Sequence, residues 1–238
     1  MNMYKKIIER NIRDELERFK NSRVLILGIG GLGSNIAVSL ARSGVGYMKL
    51  VDFDIVELSN LNRQYYTMKH IGMRKTDALK SLINEINPYI KIDVENIKVD
   101  EDNIGNIIKD FDIVCEAFDD AEMKSMLANK ILEDYPNKYL IMGSGMAGIG
   151  DSNEIKTRNK MKRIYICGDE TSDFKEVDGM MSPRVNICAG HQANLILRII
   201  MGLEEKNDKE FRTKNINNEI RKNDKEIMEK INSEIRRK

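Results

Sequence analysis

The 238-residue sequence has almost no net charge and no long apolar run. The formal charge is +1, so no global field would attract nucleic acid or an anionic membrane, and we expect neither as a partner. No apolar run approaches the roughly 18 residues that a membrane-spanning helix needs. The N-terminus lacks the apolar core of a signal peptide, so we expect a cytoplasmic protein.

Cysteine is also scarce, with only Cys115, Cys167 and Cys188 in the whole chain. The three are widely spaced and odd in number, which argues against a disulfide framework and fits a reducing compartment. No CxxC pair occurs, and three separate cysteines cannot build a four-cysteine zinc site, so we predict no zinc.

Short apolar segments alternate with helical patterns over the first 142 residues, which predicts an α/β fold. This order implies a Rossmann-like, mostly parallel sheet flanked by helices and joined by right-handed crossovers. The predicted strands are 23–27, 47–51, 90–94, 113–115 and 139–142, and the predicted helices are 4–20, 34–43, 75–87, 103–109 and 121–132.

After Gly143 the pattern changes. Two short strands (154–158 and 163–167), a polar loop (168–183) and an apolar helix (185–201) are predicted to form a smaller portion that completes the same domain. Loops of that length in a compact domain are usually functional or disordered. We place the domain at 1–203 and interpret the charged segment 204–238, which carries a sparse isoleucine stripe, as a helical extension.

A glycine-rich turn, Gly28-Ile29-Gly30-Gly31-Leu32-Gly33, follows the first strand and opens a helix. Glycines let the backbone approach phosphate or ribose, and the helix N-terminus offers free N–H groups. Asp52 ends the second strand, where a carboxylate can bind a ribose hydroxyl. The pattern predicts a nucleotide site without saying which nucleotide.

The segment from Asp54 to Gln64 favours a polyphosphate as the ligand. Asn60, Arg63 and Gln64 lie close together in it, and Lys75 follows shortly after. Arginine presents a planar fork to phosphate oxygens and lysine a point charge, and such cations stabilise a leaving pyrophosphate. The alternative is a solvated loop with ordinary surface charges.

Asp119 and Asp120 follow the strand at 113–116, at the end where ligands bind in open α/β sheets. A carboxylate there could hold Mg²⁺ together with phosphate oxygens. The alternative is that one of the two caps the next helix.

These motifs together resemble the ThiF/MoeB family, relatives of the ubiquitin-activating enzymes. The matching pieces are GIGGLGS at 28–34, VDFDIVELSNLNRQ at 51–64, GMRKTDALK around Lys75 and CEAFDDAEMK at 115–124. The resemblance covers about residues 7–202, and the segments 165–170 and 182–202 look closest to a short ThiF-like branch.

The resemblance implies an adenylyltransferase that uses Mg-ATP. Such enzymes adenylate the C-terminal Gly-Gly carboxylate of a small ubiquitin-like sulfur carrier and release pyrophosphate. A ThiS-like carrier in thiamine thiazole synthesis would be the partner here. By resemblance, Asp52 contacts the ribose and Asp119 holds Mg²⁺; the phosphates fall to Asn60, Arg63, Gln64 and Lys75.

The family also implies a homodimer, because an N-terminal arginine of the second subunit reaches the γ-phosphate. Arg10 is the best match, with Arg13 and Arg18 as competitors. Some members link the carrier to a cysteine in a mobile loop. Cys167 is the candidate by position, although a buried strand residue is the simpler interpretation.

Three alternatives stay open at this point. The same chemistry could serve another acceptor, such as a molybdopterin-type carrier, another ubiquitin-like protein, or a small-molecule or tRNA carboxylate. An NAD-dependent oxidoreductase would use the same glycine turn. A non-catalytic relative would bind carrier proteins only.

Overall fold

The structure, a computed structural model, describes residues 6–8, 16–173 and 179–204. Within them seven strands form one sheet with helices on both faces, which confirms the predicted α/β class. The strands are β1 (Arg23–Leu27), β2 (Tyr47–Asp52), β3 (Lys91–Asn96), β4 (Ile113–Glu116), β5 (Tyr139–Gly143), β6 (Lys156–Met161) and β7 (Ile164–Gly168). The α-helices are α1 (Leu16–Asn21), α2 (Gly31–Ser43), α3 (Lys75–Ile86), α4 (Ile104–Ile108), α5 (Ala121–Asp134) and α6 (Ser182–Ile200).

The strand order across the sheet is β3-β2-β1-β4-β5-β7-β6. All neighbouring pairs are parallel except β6 with β7, which form an antiparallel edge. The order reverses between β1 and β4, so the loops after these two strands diverge and leave a crevice at their carboxyl ends. This crevice is where the candidate site lies.

Alternate residues of β1 serve the two faces of the sheet. Val24 and Ile26 join the core under α2, α3 and α6, while Leu25 and Leu27 join the core under α4 and α5. A strand that is apolar on both faces is what a central parallel strand requires.

Several element boundaries differ from the predicted ones by one to three residues, and two of these differences have a clear local cause. Helix α2 begins at Gly31 rather than residue 34, because the second half of the glycine turn already forms its first turn. Strand β6 spans 156–161 rather than 154–158, because Ser152–Glu154 form a 3₁₀ turn capped by the Asp151 carboxylate.

Several predictions fall on residues outside those described. The N-terminal helix at 4–20 is described only at residues 6–8 and in α1, and the segment after Glu204 is not described. The domain boundary at 203 therefore stays a prediction. Among the helices that are described, none is long and apolar enough to cross a membrane.

Candidate active site

A cleft of about 860 Å³ opens at the carboxyl ends of β1, β2, β4 and β5. It brings together residues that are far apart in the sequence and that the motif analysis selected. The predicted site residues among its lining are Gly28, Gly30, Gly31, Asp52, Asp54, Arg63, Gln64, Lys75 and Asp119. Gly33 and Asn60 do not line it, and Arg10 lies outside the described residues.

The glycines of the turn divide into two kinds. A Cβ on Gly28 (φ +81°) would lie 2.7 Å from the carbonyl oxygen of Ala117, and one on Gly33 would lie 1.9 Å from the carbonyl oxygen of Gly28. These two glycines let β1, β4 and α2 pack closely. Gly30 and Gly31 have more room and face the cleft, so they are the ones that leave backbone open to a ligand.

Asp52 is buried at the end of β2 and joins that strand to the glycine turn. Its Oδ2 accepts a hydrogen bond from the Ile29 N–H at 2.8 Å, and its Oδ1 accepts one from the Asp54 N–H at 2.8 Å. Each carboxylate oxygen has two lone pairs, so a ribose hydroxyl could still donate to Asp52.

Lys75 is buried on the cleft wall, and its ammonium pairs with the Asp54 carboxylate at 2.7 Å. The Lys75 side chain is 7% exposed and that of Asp54 is 46% exposed, so Asp54 can turn toward solvent and leave the Lys75 ammonium to a competing anion. Arg63 is more open: its guanidinium contacts the side-chain oxygen of Asn62 at 2.9 Å, and no carboxylate of the described chain pairs with it. Both cations are therefore placed to meet phosphate oxygens.

Asn60 and Gln64, predicted as phosphate ligands, differ in their surroundings. The Asn60 side chain accepts the Glu57 N–H at 3.0 Å and so closes a 3₁₀ turn outside the cleft. Gln64 lines the cleft beside Gly30, and its buried Oε1 has no hydrogen-bond partner in the described part of the chain. Asn35, which the sequence analysis missed, donates to the Gly31 and Arg63 carbonyls at 2.7 and 3.0 Å and ties α2 to this loop.

The two adjacent aspartates have different environments. Asp120 Oδ1 accepts the Met123 N–H at 2.9 Å and is the N-cap of α5, which confirms the capping alternative for this residue. Asp119 lines the cleft, and no described residue hydrogen-bonds its carboxylate. Its role as a cation ligand stays a prediction.

A buried ion pair that the motif analysis did not select lies at the cleft, whose lining includes Lys124 but not Glu116. Lys124 Nζ contacts both carboxylate oxygens of Glu116, at 2.7 and 2.9 Å, and the Gly143 carbonyl at 2.9 Å. Glu116 is fully buried and also accepts the Phe118 N–H at 2.6 Å. Burial raises the pKa of Glu116, and the neighbouring Lys124 ammonium opposes that shift.

All three cysteines are free and buried. Burial raises the pKa of Cys167 to about 12 and holds the pKa values of Cys115 and Cys188 well above the ordinary value. Cys167 is thus packed within β7, and its burial disfavours the thiolate form. Within the described ranges, no cluster of three or more histidine, cysteine, aspartate or glutamate residues could hold a metal ion.

The chain is similar to several known proteins. Over 196 residues it is 37% identical to the Escherichia coli molybdopterin-synthase adenylyltransferase, a match that covers 79% of this chain and 77% of that protein. The Haemophilus influenzae enzyme of the same name is 42% identical over 115 residues, 48% of this chain and 47% of that one. The Scheffersomyces stipitis adenylyltransferase and sulfurtransferase UBA4 is 32% identical over 144 residues, which are 60% of this chain. The chain spans about half the length of the Haemophilus protein and 32% of UBA4.

Solved structures share the fold. The E. coli tRNA N6-threonylcarbamoyladenosine dehydratase TcdA, solved with ATP, superposes with a TM-score of 0.78 at 20% identity, covering 87% of this chain and 98% of that one. E. coli MccB with ATP gives a TM-score of 0.61 at 23% identity, covering 78% and 57%. The ThiF family description matches residues 4–234, nearly the whole sequence. The chain therefore belongs to the ThiF family.

Proposed function

We propose that this protein is an ATP-dependent adenylyltransferase that activates a carboxylate on an acceptor. The observation that carries the proposal is the convergence of Lys75, Arg63 and Asp119 with the open glycines in one cleft. The ATP complexes of TcdA and MccB, and the names of the sequence relatives, support ATP as the nucleotide.

The residues present fit ATP and a divalent cation. Gly30 and Gly31 offer open backbone for the phosphates, and the buried Gln64 Oε1 lacks a partner beside them. Apolar side chains, among them Ile97, Val99 and Phe118, line the part of the cleft next to β3 and β4, where a base could pack. Asp119 would hold Mg²⁺, which would neutralise phosphate charge when bound.

In this proposal an oxygen of the acceptor carboxylate attacks the α-phosphorus, and the bond to the β-phosphate oxygen breaks. The acyl-adenylate forms and pyrophosphate leaves. The carboxylate is itself the nucleophile, so the protein has to position two anions and balance the charge on the leaving group. Lys75 and Arg63 supply that balance, and Asp52 orients the ribose.

The acceptor we propose is the C-terminal glycine carboxylate of a small ubiquitin-like sulfur carrier. A ThiS-like carrier in thiamine thiazole synthesis stays our prediction from the resemblance at 165–170 and 182–202. The names of the relatives at 37% and 42% identity favour a molybdopterin-type carrier instead. An NAD-dependent oxidoreductase is disfavoured, because the family match and the names of the sequence relatives favour adenylyl transfer.

The homodimer is also part of the proposal. The segment from Phe53 to Met73 borders the cleft and exposes seven large hydrophobic side chains: Phe53, Ile55, Leu58, Tyr65, Met68, Ile71 and Met73. Exposed apolar surface of this kind is typical of a protein interface. Of the three arginines considered for the γ-phosphate, Arg18 donates one hydrogen bond to the Met201 carbonyl at 2.9 Å, and Arg10 and Arg13 lie outside the described residues, so all three stay candidates.

ATP–pyrophosphate exchange tests the proposal directly. The protein is assayed with Mg²⁺ and either a thiamine-type or a molybdopterin-type carrier, each matched with a version that lacks the last glycine. Exchange that requires an intact carrier is expected, and the carrier that supports it identifies the acceptor. ATP binding without exchange for any carrier would contradict the carrier proposal and favour another carboxylate acceptor. If the protein bound NADH and did not bind ATP, the oxidoreductase alternative would be supported.

A further inference from the structure

The Glu116–Lys124 pair connects three segments that form the floor of the cleft. Glu116 ends β4, Lys124 lies in the first turns of α5, and Gly143 ends β5. Lys124 has three N–H donors, and the two Glu116 oxygens and the Gly143 carbonyl take all three. In return, Glu116 accepts the backbone N–H groups of Phe118 (2.6 Å) and Gly143 (3.4 Å).

The position of Asp119 depends on this network. Its carboxylate has no partner among the described residues, so only its backbone neighbours hold it in place. On one side the Phe118 N–H bonds to Glu116 Oε1, and on the other the Asp120 carboxylate caps α5 at Met123. Asp119 thus lies between two anchored residues, and the first anchor is fixed by Lys124.

Stability alone does not explain a charged pair at this place. A buried ion pair can often be replaced by apolar side chains without loss of stability, because removing two charges from water costs about as much as their attraction returns. Here the pair holds backbone groups at the ends of two adjacent strands, where apolar side chains could accept no hydrogen bond. Its hydrogen bonds therefore define loop geometry.

We propose that Glu116 and Lys124 are positioning residues that hold the Phe118–Asp119 backbone so that the Asp119 carboxylate meets the cation of the bound nucleotide. The inference rests on the proposed function, because it takes Mg-ATP as the ligand. It adds two residues that act through Asp119; Glu116 lies outside the cleft lining, and Lys124 is part of it. Residues that orient a metal ligand affect metal affinity or activity by about 10–100-fold when they are changed.

The test compares Glu116→Gln and Lys124→Arg with the wild type. Lys130→Met is the matched control, because Lys130 lies on the same helix and pairs with Asp134 at the surface. Two measurements need no turnover: amide hydrogen exchange at Phe118 and Gly143 in the nucleotide-free protein, and ATP affinity by calorimetry with Mg²⁺ and with EDTA. A third is the Mg²⁺ concentration at half-maximal pyrophosphate exchange.

For Glu116→Gln we expect faster amide exchange at Phe118 and Gly143. We also expect the ratio of ATP affinity with Mg²⁺ to ATP affinity in EDTA to fall by about tenfold or more. ATP affinity in EDTA should change less than threefold. Lys124→Arg should retain most of the effect of Mg²⁺ on ATP affinity, and Lys130→Met should match the wild type.

Two outcomes would overturn the inference. Amide exchange that quickens while the Mg²⁺ effect stays at the wild-type level would make the pair purely structural. Unchanged amide exchange in Glu116→Gln would mean that the carboxylate does not hold these loops. If the wild type shows no carrier-dependent exchange, the proposed reaction fails, while the calorimetric and amide measurements still decide the positioning role.

Discussion

Two lysines that line the cleft differ in how they are held. Lys75 begins α3, and its ammonium has one carboxylate partner, Asp54, which is nearly half exposed. Lys124 lies in α5, and its ammonium has three acceptors around a fully buried carboxylate. A bound polyanion can displace Asp54 from Lys75, but no ligand can replace the three acceptors of Lys124 without unpairing a buried charge. Lys75 can therefore exchange its carboxylate partner for a ligand, whereas the Lys124 pair stays closed.

Loss of Lys124 should have the largest effect on stability. Lys124→Met leaves the Glu116 carboxylate buried without its cation, and we expect the free energy of unfolding to fall by about 3–5 kcal/mol. Urea unfolding measures this, with Lys130→Met as the control in the same helix. If Lys124→Met lost no more free energy of unfolding than Lys130→Met, the proposed difference between Lys124 and Lys75 would be contradicted.

Loss of Lys75 should act on catalysis instead. Lys75→Met removes a cation from the phosphates, and we expect the exchange rate to fall by about 10²–10³-fold. The free energy of unfolding should change less than in Lys124→Met, because Asp54 can turn to solvent. Lys80→Met on the same helix, outside the cleft lining, is the control. Equal rates of pyrophosphate exchange in Lys75→Met and Lys80→Met would contradict the role of Lys75 at the phosphates.

The buried thiols make the stability depend on alkaline pH. Burial raises the pKa of Cys167 from 9.0 to about 12, so the unfolded chain loses this proton first as the pH rises. The contribution of this thiol to the free energy of unfolding should therefore be constant below about pH 9 and fall above it, by up to about 1.4 kcal/mol per pH unit. Denaturant titrations from pH 8 to 10.5, with Cys167→Ser as the comparison, measure the slope. Rapid labelling of Cys167 by a thiol reagent at pH 8 in the folded protein would contradict the burial.

Substitution of the adjacent aspartates should give the smallest effects on stability. The two variants should differ, because one affects the helix cap and the other affects Mg²⁺ binding. Asp120→Ala removes the cap of α5 and should cost about 1 kcal/mol. Asp119→Asn should leave the thermal unfolding curve nearly unchanged but remove the Mg²⁺ dependence of ATP affinity. Thermal unfolding and calorimetry of both variants check this, and a Mg²⁺ effect that survives in Asp119→Asn would move the cation to another carboxylate.

The parts that followed from the sequence are those where local pattern and tertiary role coincide. The strand of apolar residues at 23–27, the glycine turn and the acid at Asp52 occur where the fold has them, because each is a local requirement of a parallel βαβ unit. The selection of Lys75, Arg63 and Asp119 for one cleft also held geometrically, since strand ends meet at the same edge.

What the sequence could not predict depends on packing between distant segments. Glu116 and Lys124 are eight residues apart on a strand and a helix, so no single periodicity links them. Asn60 looked like a phosphate ligand because of its neighbours, yet its amide oxygen caps a local turn. The difference between Asp119 and Asp120 is set by one residue of helix phase, which propensity does not resolve.

The hydrogen bonds of Asp52 have a consequence for variation at that position. Both carboxylate oxygens face backbone donors, so an asparagine there would aim its amide hydrogens at an N–H group on one side. In the proposed function the same two oxygens also accept the ribose hydroxyls, so that one pair of atoms would serve both the assembly of the β1–β2 corner and the recognition of the sugar. A substitution at Asp52 is therefore expected to impair two processes, the folding of the chain and the binding of the nucleotide.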